Sequence, residues 1–161
     1  MNIKQDRFLI GILAFIALLV IVSVALFLVR RGAPAYVPED TPQGVLHNYA
    51  SALLFEDYER AYGYLAEADN KPTLEVFRQA FLSRQLDVSG SGIQIDKVEN
   101  VTTEQARIEL TVVYYDSGEV PTRISDSNQT AILVRQNGTW RISSMPYPYW
   151  SWNWYQPEPV R

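Results

Sequence analysis

SGSGIQIDKVE, residues 89–99, is where this chain changes its period. Beyond the Ser-Gly pairs, Ile93 and Ile95 alternate with Gln94 and Asp96, the pattern of a strand with one buried face. The alternation continues over residues 107–116: Ile108, Leu110, Val112 and Tyr114 point one way, and Arg107, Glu109, Thr111 and Val113 the other. Asp116-Ser117-Gly118 is turn chemistry. A third strand is predicted over 123–136, interrupted around 126–128. Asn137-Gly138, the strongest short hairpin signal, returns the chain through 139–144 with Trp140 and Ile142 on one face.

Before residue 89 the period is helical. Thr41-Pro42 combines an N-cap with a proline at the first helical position. Val45, Leu46, Tyr49 and Leu53 then share a face, predicting a helix over 41–55. Tyr58, Ala61, Tyr62 and Leu65 stand at i, i+3, i+4 and i+7 behind the capping residue Asp57 and mark a second. Leu74, Phe77 and Phe81 place a third over 73–86. Helices first and a meander after indicate an α+β fold, three helices packed on one side of a four-stranded antiparallel sheet.

The N-terminal part is different in kind. Residues 8–29, FLIGILAFIALLVIVSVALFLV, carry no charge. As a helix they would reach roughly 33 Å, enough to cross a hydrocarbon core of about 30 Å. A single uncharged run of this length satisfies its backbone in lipid only as a helix. Residues 1–7 form a short flank, and Lys4, Arg7, Arg30 and Arg31 bracket the run. Ala33-Pro34-Ala35 resembles a processing site, but the apolar region exceeds a secretory core and two arginines intervene. The reading is a single-pass transmembrane helix with the bilayer as partner, the N-terminus inside and the C-terminal domain extracytoplasmic. Residues 30–40, rich in Gly, Pro and acids, read as a linker, with the folded domain at 41–146 and an aromatic, Pro-rich tail at 147–161.

Residues 32–161 hold ten Lys/Arg against seventeen Asp/Glu, a net charge of −7. Such a body is a poor partner for nucleic acid, which demands excess positive charge. There is no cysteine, so disulfides, thiolate metal sites and thiol nucleophiles are excluded. No Gly-rich phosphate loop, His-Glu-x-x-His motif or nucleophile elbow occurs, and the acids lack calcium-loop spacing. No metal or cofactor is expected.

The order of elements resembles the nuclear transport factor 2-like superfamily. The residues that carry the resemblance are Phe55-x-Asp57-Tyr58-x-x-Ala61-Tyr62-x-x-Leu65, the Phe77/Phe81 helix, residues 106–113, and Leu133-Val134-x-x-Asn137-Gly138-x-Trp140-x-Ile142. It is similar in particular to bacterial members that carry such a domain behind one membrane anchor. The resemblance implies a curved sheet and a cone between sheet and helices, and it permits a homodimer through the sheet. Enzymes of that superfamily, isomerases, dehydratases and hydrolases, place Asp, His or Tyr inside the cone.

No inward acid–base pair emerges here. His47, the only histidine, lies away from the apolar face of its helix and is expected in solvent. Tyr114 is the one polar handle on the inward parity of its strand, and only a one-residue slip would bring Glu109 inward beside it. Tyr49, Tyr62, Phe77, Phe81, Tyr114 and Trp140 are the candidate lining of a pocket; the competing reading is that they fill the core. The tail, MPYPYWSWNWY at 145–155, places Trp150, Trp152 and Trp154 at alternate positions beside Tyr147, Tyr149 and Tyr155. It folds back on the domain, or presents Tyr149, Trp150, Trp152, Trp154 and Tyr155 to a partner, or lies at the headgroup level of a membrane. The function expected is non-enzymatic: a membrane-anchored domain of the cell envelope that binds a protein or small ligand. The alternative is an isomerase- or hydrolase-type enzyme using a polar group in the cone.

Overall fold

The structure is a computed structural model. It describes the backbone at residues 3–30, 35–115 and 123–156, and side chains at 9–25, 35–115 and 128–156. The chain divides into two units, Met1–Ala35 and Tyr36–Arg161. The first contains α1, Ile3–Arg30, whose apolar side chains from Leu9 to Val24 are exposed. Among the described residues no helix is long and apolar enough to cross a membrane. The described side chains, 9–25, extend only roughly 25 Å at 1.5 Å per residue. Lys4, Arg7, Arg30 and Arg31 lie outside the described side chains, as does the expected turn at 116–118.

The second unit is α+β. Its helices are α2 (Pro42–Leu54), α3 (Tyr58–Gly63) and α4 (Leu74–Leu82), followed by β1 (Ser91–Asn100), β2 (Gln105–Tyr115), β3 (Arg123–Gln136) and β4 (Thr139–Ser144). Each helix starts as its sequence dictates. Thr41 accepts the Gly44 N–H, Asp57 that of Arg60 and Thr73 that of Val76, satisfying donors that the first turn leaves without partners. Two helices are shorter than their periodicity suggests. α3 ends at Gly63 because Tyr64–Ala66 has another use: Ile142 donates to the Tyr64 carbonyl and accepts from the Ala66 N–H, 2.8 Å each. This short segment covers the outer edge of β4, a row of backbone groups that would otherwise invite pairing with another chain. α4 stops at Leu82, and Arg84 in the left-handed region (φ 57°) turns the chain away.

The sheet is an antiparallel meander in the order β1-β2-β3-β4. Each pair of neighbours has one shift of register, at Ile95/Lys97, Leu110/Val112 and Ile132/Leu133. A bulge bends and twists its strand, so three of them curve this sheet. The first also resets the alternation. With Asp96 inserted, Val98 packs partly against the core as Ile93 does, while Lys97 and Glu99 form an ion pair. The interruption expected at 126–128 is the second bulge, where Asn128 adopts φ 61°. Asn137 and Gly138 take φ 51° and 80°, the geometry of a type I′ hairpin.

Residues 36–40, read from the sequence as linker, are fastened to the helices. The buried Asn48 side chain accepts the Val37 N–H and donates to the Val37 carbonyl, both at 2.8 Å. Glu39 accepts from the Tyr64 hydroxyl at 2.6 Å and from Arg60 at 3.1 Å, and the Arg60 guanidinium lies 3.5 Å over the Tyr36 ring. The Tyr64 hydrogen bond, opposed by desolvation and aided by Arg60, holds the Glu39 carboxyl below its ordinary value of 4.5.

Two outcomes test this clasp. Asn48→Ala leaves the Val37 N–H and carbonyl without partners and lowers unfolding free energy by about 2–4 kcal/mol in urea titration. Because the pKa of Glu39 is depressed on folding, its contribution is complete above pH 4.5 and disappears as pH falls through the lowered folded value. Glu39→Gln therefore flattens the acid limb of a stability–pH curve between pH 4.5 and that lowered value and removes no slope near neutrality.

Candidate functional site

The residues expected to line a pocket do surround one interior, but the chain's own tail occupies it. Tyr149 is 0% exposed. Its carbonyl accepts the Tyr49 hydroxyl at 2.6 Å. Its own hydroxyl lies 3.0 Å from Ser91 Oγ, and since that Oγ donates to the Val88 carbonyl, the tyrosine is the donor. Trp154 packs on Phe77 and Phe81, with centroids 5.1 and 6.2 Å apart, and edge-on to Trp150 at 5.3 Å. Tyr155 stacks on Trp150 and donates to the Ala66 carbonyl at 2.5 Å, while its carbonyl accepts from Asn70.

Thus Tyr49, Phe77 and Phe81 touch the tail directly, and the Tyr114 hydroxyl is 3.4 Å from the Tyr147 carbonyl. Tyr62 reaches the tail's aromatic cluster through Phe77, 5.6 Å away, and donates to the Pro72 carbonyl. Trp140 is buried on β4 with the Arg135 guanidinium 5.9 Å from its ring. Of the two readings of these six residues, pocket lining and core filling, the packing accords with the second: Tyr49, Phe77, Phe81 and Trp140 belong to the core cluster, and Tyr62 and Tyr114 pack against it. Among the described residues no buried side-chain polar atom lacks a partner. Burial pushes the Tyr49 hydroxyl well above its ordinary value of 10 and raises Tyr149 and Tyr155 too. All three are neutral hydrogen-bond donors at physiological pH.

The tail itself departs from strict alternation. Trp150 and Trp154 turn inward with Tyr149, Tyr155 is half-buried, and Trp152 points out, because residues 147–155 form a series of turns in place of an extended strand. Of the five residues offered to a partner, only Trp152 stands free of the core, at 82% exposure. Tyr147, at 62%, is the other exposed ring of the segment.

These two rings border a cleft of about 270 Å³ lined by Gln85, Leu86, Met145, Tyr147, Trp150, Ser151 and Trp152. Leu86, Met145 and Trp150 are buried and supply an apolar floor. Leu86 is held there by its N–H bond to the Ala80 carbonyl, 2.9 Å, which closes the turn after α4. Ser151 is tied to Asn153. None of the lining residues is charged. Gln85, Leu86 and Met145 carried no signal in the sequence, since the turn at Arg84 and the fold-back at Pro146 bring them together only in space.

Other candidates lie elsewhere. His47 is exposed on α2, and Glu109 is exposed on the sheet's outer face opposite Lys97. Asp96, also exposed, accepts from Thr111 at 2.7 Å. Among the described residues the buried polar side chains are Asn48, Ser91 and Ser151, and no cluster of His, Asp and Glu could hold a metal ion.

No family model matches the sequence, and no curated protein matches it. Solved structures with a similar trace include a SEC-C motif containing protein from Rhodopseudomonas palustris, at 9% identity and TM-score 0.49, covering 69% of this chain and 81% of that one. An NTF-2 like protein of unknown function from Shewanella oneidensis superposes at 9% identity and TM-score 0.46, over 62% and 88% of the two chains. A SEC-C motif containing protein from Psychrobacter arcticus gives 9%, 0.47, and coverage of 67% and 61%.

Burying an aromatic side chain removes roughly 150–250 Å² from water, about 4–6 kcal/mol at ~25 cal/mol per Å². Tyr149, Trp150 and Trp154 together thus contribute on the order of 10 kcal/mol even after discounting for a compact unfolded chain. That equals the whole stability of an ordinary domain, about 5–15 kcal/mol. Truncation after Ser144 therefore abolishes the cooperative melting transition in circular dichroism. Trp152→Ala, which removes an exposed ring, leaves the midpoint within about 2 °C.

Proposed function

We propose that this chain is a membrane-tethered, non-enzymatic binding domain of a bacterial cell envelope, and that its ligand sits in the cleft between Tyr147 and Trp152. The α+β unit reads as a nuclear transport factor 2-like cone whose chamber is closed by its own C-terminal segment. The observation that carries the binding role is Trp152, 82% exposed in a segment whose other indoles are buried. A large aromatic side chain left in water beside an apolar depression is the usual mark of a recognition surface. The filled interior accords with the same reading, because the rings that the tail leaves in solvent, Tyr147 and Trp152, border the outer cleft. The enzymatic alternative needs a carboxylate next to Tyr114; among the described residues Glu109, the candidate for that place, is exposed opposite Lys97.

The tether rests on the uncharged run at 8–29 and on the exposure of the α1 side chains. Apolar side chains around a whole helix fit lipid better than water. The net charge of −7 on residues 32–161 accords with a body that is held near a membrane by its helix and not by attraction to anionic headgroups.

The tether predicts that the full-length protein remains in the membrane pellet after alkaline carbonate washing and is released by detergent; appearance in the wash would overturn it. For the cleft, full-length protein in detergent micelles is titrated with a neutral oligosaccharide, a proline-rich peptide and choline, following indole fluorescence. At least one produces a saturable change that Trp152→Ala and Tyr147→Ala remove without shifting the melting temperature. Saturation that is indifferent to both substitutions, or no saturation with any probe, would overturn the binding role.

A further inference from the structure

Resting on that reading of the cleft, we infer that its ligand is a neutral saccharide chain built of flat, equatorially substituted pyranose rings. Charge narrows the choice first. The lining is uncharged throughout, so an ionic group entering it would lose water and gain no partner. The surrounding body carries −7, which repels polyanions such as sulfated or phosphorylated polymers.

The arrangement of apolar and polar groups narrows it further. The floor of Leu86, Met145 and Trp150 is buried, while the exposed residues of the lining, Gln85, Tyr147 and Trp152, form its rim and carry polar groups. They are the Gln85 amide, the Tyr147 hydroxyl and the Trp152 indole N–H, none of which has a hydrogen-bond partner among the described residues. An equatorially substituted pyranose has the complementary shape. Its two faces present only axial C–H groups, which pack on aromatic rings, and its hydroxyls project around the equator to meet a polar rim. An acetamido substituent, one donor and one acceptor, matches the amide of Gln85, which offers both. A proline-rich peptide presents backbone carbonyls as acceptors but no equatorial donors for Gln85 Oε1. Finally, the cleft is an open groove of about 270 Å³. Being open to solvent, it suits one unit of a longer chain better than an engulfed small molecule.

The test uses full-length protein in detergent micelles and tetra-N-acetylchitotetraose as probe, with a proline-rich decapeptide and choline as comparisons. The saccharide is expected to shift and saturate the tryptophan emission. Trp152→Ala and Tyr147→Ala each weaken binding about tenfold or more, and Trp152→Phe retains part of it because a ring face remains. Gln85→Ala weakens the acetylated oligomer more than cellotetraose, which lacks the amide. Unchanged melting temperatures show that the variants are folded. If the saccharide fails to saturate, or binds equally to Trp152→Ala, the inference falls. Where the peptide or choline then binds in a Trp152-dependent way, the cleft reading survives it; where no probe depends on Trp152, both fall together.

Discussion

The structure depends on the burial of Tyr149. A tyrosine with no exposure, its carbonyl bonded to the Tyr49 hydroxyl and its own hydroxyl bonded to Ser91, ties the C-terminal segment to α2 on one side and to the start of β1 on the other. These contacts join residues 58 and 100 positions apart in the sequence. They form only when helices, sheet and tail are all in place. Each polar atom drawn inside finds a partner, which is the condition for burying hydroxyls at little cost. The aromatic cluster of Trp150, Trp154, Phe77 and Phe81 then closes around this pin.

A curved sheet with helices on one side encloses more space than its own side chains fill. The three register shifts bend the sheet, and the inward residues of β2 and β3, such as Val112, Ala131 and Leu133, share one buried cluster with the helices and with the tail's aromatic side chains. Here three aromatic side chains from residues 149–154 fill that space, which is why a protein with an aromatic-walled interior has its accessible cleft on the outside.

Much of the framework was legible in the sequence because it rests on local chemistry. Thr41-Pro42 and Asp57 capped the helices as their types require, and Asn137-Gly138 formed the expected hairpin. Periodicity placed Ile108, Leu110 and Val112 inside. What it missed depended on distance. The helical stripe runs through Leu65, but the β4 edge competes for that backbone and takes Tyr64–Ala66 out of the helix. Nothing local shows that Asp96 is a bulge. The six aromatic residues did converge, but no pattern within residues 41–146 records that the space between them is taken by residues 149–154. For the cleft, the exposed Trp152 and its neighbours were conspicuous by composition, whereas Gln85 and Leu86 belong to it only through the turn at Arg84.

The same dozen residues therefore serve two ends with opposite requirements. Tyr149, Trp150 and Trp154 stabilise the core by leaving water, and Tyr147 and Trp152 keep their rings in it. Trp150 connects the two, stacked on Tyr155 and edge-on to Trp154 on its core side and contributing to the cleft floor on the other. On the proposed binding role, a floor made from a side chain already fixed by packing leaves little ordering entropy to be lost when a ligand arrives. The two aromatic rim residues, Tyr147 and Trp152, are short-range neighbours of that fixed point, at most three positions along the chain from Trp150, whereas Gln85 reaches the cleft through the turn at Arg84. The placement of the two rings along the cleft is thus set by a residue that the core itself holds.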